Sequence, residues 1–244
     1  MIKLMRKLML LVVVFAGVAG AEVLVAGYQT GMAPPYLLRD GDKVSGIMIE
    51  IAQMVAERAN LDIELQGYPR ARIEAALVEG EIDINIRSNP AWTSNTDLYQ
   101  FSSALFVERN QIVSTQAKAS EITTYTDLAG MVIGGQLGFV YAEEFNRGVE
   151  NGLFIRDDVQ LVEQNYRKLL TDRVEGFINA DIPFYYDQQQ NIEYAELGLS
   201  PLIISENSIH LAMRKDNSLV HLVNQAVDEL IAEGSIQAVV ESYR

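Results

Sequence analysis

The sequence predicts an α/β chain of two lobes joined by two extended crossings, and three observations carry that expectation. Strand, helix, strand, helix, strand alternates from Val23 through Ile86, the order expected of a parallel α/β sheet. The same order restarts after the extended segment Gln111 to Thr115. Two further strands near the carboxyl end, Leu202 to Ser205 and Ile209 to Met213, return the chain to the first unit before two closing helices. Units joined twice form a hinge with a cleft between them, the geometry of closure around a ligand. Lobe 1 is expected at residues 22–110 and 206–244, and lobe 2 at 111–205.

In the first unit, Val23 to Gly27 is a short, continuously apolar strand, as buried parallel strands are. Tyr28 to Tyr36 is a loop with two consecutive prolines, and Arg39-Asp40-Gly41-Asp42 reads as a hairpin turn. Ser45 is placed to cap a helix from Ile47 to Ala59, whose Ile47, Ile51, Met54 and Val55 share one face. Asn60 ends it, and Leu61 to Leu65 alternates as a strand. Ile73, Ala76 and Leu77 mark a second helix with Gly80 as its left-handed cap. Ile82 to Ile86 alternates apolar and polar with period two. From Arg87 the chain turns polar (Ser88, Asn89, Trp92, Thr93, Ser94, Asn95), and ligands of open α/β sheets sit beyond the carboxyl ends of strands. This loop is the first candidate binding surface.

In the second unit the expected elements are a strand at Met131 to Gly134, a glycine-punctuated turn through Gly138, and a helix from about Phe139 to Arg147. A strand near Val159 to Val162, a helix around Tyr166 to Thr171 and a buried strand at Val174 to Ile178 follow. Asp181 to Gln190 reads as helical despite Pro183, which a first turn tolerates. The closing helices carry Leu219, Leu222, Val223, Ala226 and Leu230, then Ile236, Val239 and Val240.

Composition narrows the function classes. Lys3, Arg6 and Lys7 precede an apolar run, Leu8 to Val18, that ends in Ala19-Gly20-Ala21, the pattern of a secretory leader cleaved after Ala21. The run is shorter than the roughly 20 residues that span a bilayer. With no cysteine in the chain there is neither a disulfide nor a lipid-modified amino-terminal cysteine, so a free periplasmic protein is expected. Loss of the three leader cations makes a formal charge of −14 more negative still, which disfavours nucleic acid and anionic membrane as partners. Two isolated histidines, His210 and His221, make poor metal ligands, and no nucleophile with a paired base is evident in the sequence. No catalysis, metal or cofactor is expected.

Several short motifs then fall in order along nearly the whole chain beyond the leader: Pro34-Pro35-Tyr36; Val44-Ser45-Gly46-Ile47 with Glu50; Leu77 with Gly80 and Asp83; Phe101-Ser102; Asp127-Leu128-Ala129-Gly130 leading to Gly134 and Gly138; Arg173-Val174-Glu175-Gly176; and Met213-Arg214-Lys215-Asp216-Asn217 with Gly234. In these the chain resembles the extracellular solute-binding proteins of family 3, the polar amino acid-binding components of bacterial ABC transporters. The resemblance implies a two-lobed periplasmic binding protein of type II, expected to be monomeric. It would close on a small polar solute, an amino acid or related organic acid, and deliver it to an ABC transporter permease. Relatives that signal to a membrane sensor, or a dehydratase-like enzyme on the same fold, are the alternatives.

In amino acid-binding members of that family, an arginine about a dozen residues after the strand aspartate clamps the ligand carboxylate, and here the corresponding residue is Asn95. Arg87, directly after the strand and with a surface carboxylate as its plainer partner, and Arg72, in a P-x-x-R pattern that a subgroup of the family shows, are the candidate replacements. The resemblance places Ser88 at a ligand-binding position. It also sets Gly138 and Phe139 at a helix amino terminus that would favour an anion, with Phe139 either walling the pocket or packing in the core. Asn179 and Asp181 lie near the family's usual ammonium-binding carboxylate, and Asp181 stands equally as a cap of the next helix. Tyr28, Tyr36 and Trp92 are the best placed aromatic walls, with hinge-side packing the other reading of Tyr36.

Overall fold

The computed structural model describes residues 22–244; the expected leader, 1–21, lies outside the described residues. In chain order the first unit holds β1 (Val23–Gln29), β2 (Leu38–Asp40), β3 (Lys43–Ser45), α1 (Ile47–Arg58), β4 (Asp62–Tyr68), α2 (Arg70–Glu79), β5 (Ile84–Ser88) and β6 (Tyr99–Phe101). The second holds β7 (Phe106–Thr115), α3 (Gln116–Glu121), β8 (Val132–Gln136), α4 (Glu143–Glu150), β9 (Ile155–Val159), α5 (Val162–Leu170), β10 (Gly176–Ala180) and α6 (Asp181–Gln190). The long strand β11 (Leu197–Arg214) leads back to α7 (Val220–Ala232) and α8 (Ser235–Glu241).

The strands run β4-β1-β5-β11-β7-β10-β8-β9, with β6 pairing on β11. β4, β1 and β5 are parallel, and so are β10, β8 and β9. Between these two parallel groups β11 and β7 form an antiparallel ribbon. Residues Leu197 to Ile209 of β11 pair with β7, whereas His210 to Met213 pair with β5. These are the two expected crossings. β11 joins what the sequence suggested were two strands. Its pairing with β7 runs unbroken from Ser205 to Ile209 and shifts register only earlier, between Leu199 and Ile203 and between Ile203 and Ser205, the first where Pro201 has no N–H to donate. The Ser200 hydroxyl repairs it, accepting from the Ile112 N–H and donating to the Leu202 carbonyl.

Burial follows the sequence pattern. Leu24 and Ala26 of β1 are fully buried beneath the α1 stripe of Ile47, Ile51 and Val55. Ile133, Phe145 and Phe154 build the core of the second unit with Ile178 and Leu202. Gly80 takes φ +78° as the left-handed cap of α2.

The expected cap of α1 is corrected: Ser45 does not serve, and Gly46 is the residue before the helix. The first helical N–H groups, Ile47 and Met48, are instead satisfied by the Pro35 and Tyr36 carbonyls. A Cβ at Gly46, where φ is +105°, would stand 2.5 Å from the Pro35 carbonyl oxygen, so only glycine permits this approach. Tyr36 is thereby fixed to the start of α1. In the second unit α4 begins at Glu143 rather than Phe139, with residues 137–142 forming a turn and an extended approach. β9 lies at Ile155–Val159, earlier than expected, because Leu161 and Val162 enter α5 under a cap in which the Gln164 side chain accepts from the Gln160 and Leu161 N–H groups.

One carboxylate of the second unit opposes the fold. Burial lifts the Asp187 carboxyl to about 6, with Glu163 adding to the rise and Tyr166 opposing it. A folded value above the unfolded one means that its contribution to stability is complete below about pH 3.9 and is lost as pH rises through about 6. Asp187→Asn, which cannot ionise, is therefore expected to unfold at higher urea than the parent at pH 7.5. The gain is about 1–2 kcal/mol after allowing for partial solvent screening. The two proteins should be nearly equal at pH 4, as denaturation curves at both pH values would show.

Candidate functional site

The site is built where β5 and β7 approach the hinge. Along β7, Phe106, Glu108 and Ile112 are buried while Val107 is exposed, so strand alternation sets a carboxylate on the covered face. Arg87, at the carboxyl end of β5, donates through Nη2 to Glu108 Oε2 at 2.8 Å. Tyr36 donates its hydroxyl to the same oxygen at 2.6 Å. The Arg87 and Glu108 side chains are only 16% and 7% exposed, so neither charge could be left alone without a large desolvation cost.

Aromatic rings hold this pair. The Arg87 guanidinium carbon lies 4.7 Å from the centroid of the Tyr36 ring and 5.1 Å from that of Trp92, within cation–π range. Tyr36 itself stacks on Phe106 with 8° between the planes. Burial, and next the Glu108 charge, push the Tyr36 phenol well above its ordinary value, so it stays a donor. For Arg87, burial works most strongly against the charge, but Glu108 and Tyr36 together outweigh it and the guanidinium titrates higher than usual. Its Nε is buried without a hydrogen-bond partner among the described residues.

One residue further along β7, the Arg109 N–H donates to Asp181 Oδ1 at 3.0 Å. The Ile182 N–H donates to that oxygen as well, and Arg244 donates through Nη2 to Oδ2 at 2.8 Å. Asp181 is 5% exposed and opens α6. The expected cap is corrected: Ala180 is the residue before the helix, and Asp181, its first residue, turns its carboxylate to the next N–H and to Arg244. Arg244, like Arg87, keeps a buried Nε with no partner among the described residues. Asn179, two residues earlier, donates to the Tyr166 hydroxyl and accepts from the Ala180 N–H.

The remaining candidates are placed as follows. Ser88 is buried and shares a hydrogen bond with Thr93 that folds the loop back on itself. Trp92 is 39% exposed over Arg87. Tyr28 packs across Gly67, whose added Cβ would touch the phenol ring, and has Arg39 over its face. Arg72 is half exposed and ion-paired with Glu79 and Glu81. Gly138 takes φ +81° in the turn before α4, so the expected helix amino terminus at Gly138 and Phe139 is corrected: that terminus belongs to Glu143. Phe139 is 48% exposed rather than packed in the core. Its carbonyl is braced by Arg156, which lies over Tyr141. Asn95 is exposed in the left-handed region at φ +52°, where it opens a short turn; asparagine tolerates that conformation better than arginine does.

Glu108, Arg244 and a Ser208–His210 contact escaped the sequence reading. Glu108 could have been found as a charge on the apolar face of an alternating strand. Arg244 carries no such signal. His210 Nε2 lies 3.0 Å from the Ser208 hydroxyl, but its Nδ1 sits on the Ser102 carbonyl rather than on a carboxylate. Surface hollows lined by Gln116, Phe184 and Leu197, and by Met54, Arg58 and Leu230, contain none of the hinge cluster.

The family profile described as "Bacterial extracellular solute-binding proteins, family 3" matches residues 24–244, essentially every described residue. The chain belongs to that family. It is similar to the arginine-binding extracellular protein ArtP of Bacillus subtilis, 23% identical over 219 residues, covering 90% of this chain and 85% of that one. It is also similar to the L-cystine-binding protein TcyJ of Escherichia coli, 24% identical over 223 residues, covering 87% of this chain and 79% of that one. Among solved structures, the second substrate-binding domain of Lactococcus lactis GlnP, in an open conformation, shares the fold. Its TM-score is 0.74 at 14% identity, covering 91% of this chain and 95% of that one. The two-lobed binding-protein fold with two crossing strands is therefore established, and no helix among the described residues is long and apolar enough to cross a membrane.

Removing the Tyr36 hydroxyl isolates one hydrogen bond of this family member's hinge cluster. Tyr36→Phe is expected to lower stability by about 1.5–3 kcal/mol, the range for a hydrogen bond to a charged group. Urea denaturation followed by Trp92 emission would read it, since Trp92 is the only tryptophan. An unchanged midpoint would show that the Tyr36–Glu108 contact contributes nothing.

Proposed function

We propose that this protein is a periplasmic receptor that closes its lobes on a small polar solute, an amino acid or related organic acid, and delivers it to an ABC permease. Lobe 1 would comprise residues 22–110 and 206–244, and lobe 2 residues 111–205. The observation that carries the reading is the state of Arg87. The guanidinium is anchored by Glu108 and two aromatic rings at the carboxyl end of a strand, yet its Nε is buried and unpartnered among the described residues. A fixed fork with unused donors suits an incoming carboxylate, which is the role left open by Asn95. Trp92 and Phe139, both partly exposed, would supply apolar walls on closure. The relatives above are named for binding rather than catalysis, and the Nδ1 contact of His210 with a backbone carbonyl accounts for that ring as a stitch between β11 and Ser102.

A thermal-shift screen of amino acids, small organic acids, amines and short peptides tests this. Ligand at a hundredfold excess over Kd raises native stability by about 2.7 kcal/mol. A solute recovered unchanged after binding supports a receptor. Arg87→Ala is expected to weaken binding of that solute by about 2–4 kcal/mol, the scale for a charge-assisted partner in a desolvated site. An unchanged Kd would remove Arg87 from the site.

A further inference from the structure

The turn between β8 and α4 carries its apolar side chains outward. Leu137, Phe139 and Val140 are exposed, Val140 at 92%, and so is Leu161, which follows the end of β9 to which Leu137 is bonded. Single exposed hydrophobes are ordinary, but a group of four in adjoining turns marks a contact surface. The turn is braced in this state. The Leu137 N–H donates to the Val159 carbonyl and the Phe139 N–H to that of Gln136. Arg156 donates through Nη2 to the Gln136 and Phe139 carbonyls, at 3.3 and 3.0 Å, and the Tyr141 hydroxyl accepts from the Gln136 N–H. Arg156 is itself paired with Asp158 at 2.7 Å, so the cation bordering the turn already has its counter-charge.

Sheet register sets this patch beside the hinge cluster. Ala180, at the carboxyl end of β10, pairs with Asn110 of β7, two residues from Glu108. Gly134 of β8 pairs with Phe177 of β10, so Gln136 ends β8 at the level of Asn179. β7, β10 and β8 are successive strands, and the turn therefore leaves the sheet two strand spacings, roughly 10 Å, from β7. On the lobe 1 side Trp92 lies over Arg87 and is partly exposed. A solute tail laid against Leu137, Phe139 and Val140 would exchange water for apolar contact, whereas a charged tail there would be desolvated with both Arg156 and Asp158 already engaged. We infer that this patch is the side-chain subsite of the cleft and that the solute joins its carboxylate to an apolar tail, branched aliphatic or aromatic. The inference rests on the proposed reading of Arg87 as the carboxylate anchor and narrows the solute class.

The test compares tails on a common head: leucine and phenylalanine against aspartate, glutamate and lysine, and the 2-hydroxy acids of the same side chains. Binding to the purified protein is measured by calorimetry. At least one apolar compound is expected to bind tenfold or more tightly than every charged one with its head group, the scale of apolar discrimination in a pocket. Phe139→Ser combined with Val140→Ser, both at exposed positions, is expected to remove most of that preference, with circular dichroism confirming the fold. A charged compound binding most tightly to the parent protein would overturn the inference while leaving a receptor in place. A preference that survives in the folded double variant would overturn it too, the patch then belonging to a contact with another protein. Arg87→Ala acts on the head group and is read separately: an unchanged Kd there removes the anchor without touching the tail preference. No binding by any of these compounds, or by the amines and peptides of the wider screen, would overturn both the inference and the receptor reading.

Discussion

The ion pair between Arg87 and Glu108 is the constraint around which the hinge of this protein is arranged. Two opposite charges with side chains 16% and 7% exposed are tolerable only if each is closely met, because removal of either would leave an uncompensated buried charge. The pair fixes the end of β5 against β7. Tyr36 and Phe106 stack on one another beside it, and Gly46 lets the Tyr36 loop approach α1 closely enough to receive two helical N–H groups. Local backbone geometry, aromatic packing and electrostatics all converge on one guanidinium.

The crossings carry this arrangement between lobes. β7 presents Glu108 toward Arg87 and the Arg109 N–H toward Asp181, so adjacent residues of one strand touch a strand residue of the first unit and the first helical residue of α6 in the second. Along β11 the change of partner from β7 to β5 falls between Ile209 and His210. A bend of the lobes about these strands would move the two arginine–carboxylate pairs relative to one another.

Much of the fold was legible in the sequence because its signals are local. The apolar run of β1, the Gly80 cap of α2, the Arg39–Asp42 hairpin and the α6 helix from Asp181 all depend on neighbouring residues, and all formed where expected. What was misplaced depends on distant partners. The start of α4 moved to Glu143 because residues 137–142 are braced by Arg156 and Tyr141 rather than coiled. Ser45 lost its capping role to the Pro35 and Tyr36 carbonyls from earlier in the chain. The cluster was half visible: Arg87, Tyr36, Trp92 and Asp181 stood out by residue type, but Glu108 and Arg244 are defined by what folds against them. Tyr28 and Arg72, chosen on equally local grounds, lie against Gly67 and against Glu79 and Glu81.

The most direct test of this account is a double-mutant cycle on stability with Arg87→Met, Glu108→Leu and the combined variant. If the pair is the organising interaction, each single change leaves a buried charge and is strongly destabilising, while the double variant recovers much of the loss, giving a coupling energy of about 2–4 kcal/mol. Additivity of the two single effects to within about 0.5 kcal/mol would mean that the contact is incidental, and the site would have to be sought elsewhere in the cleft.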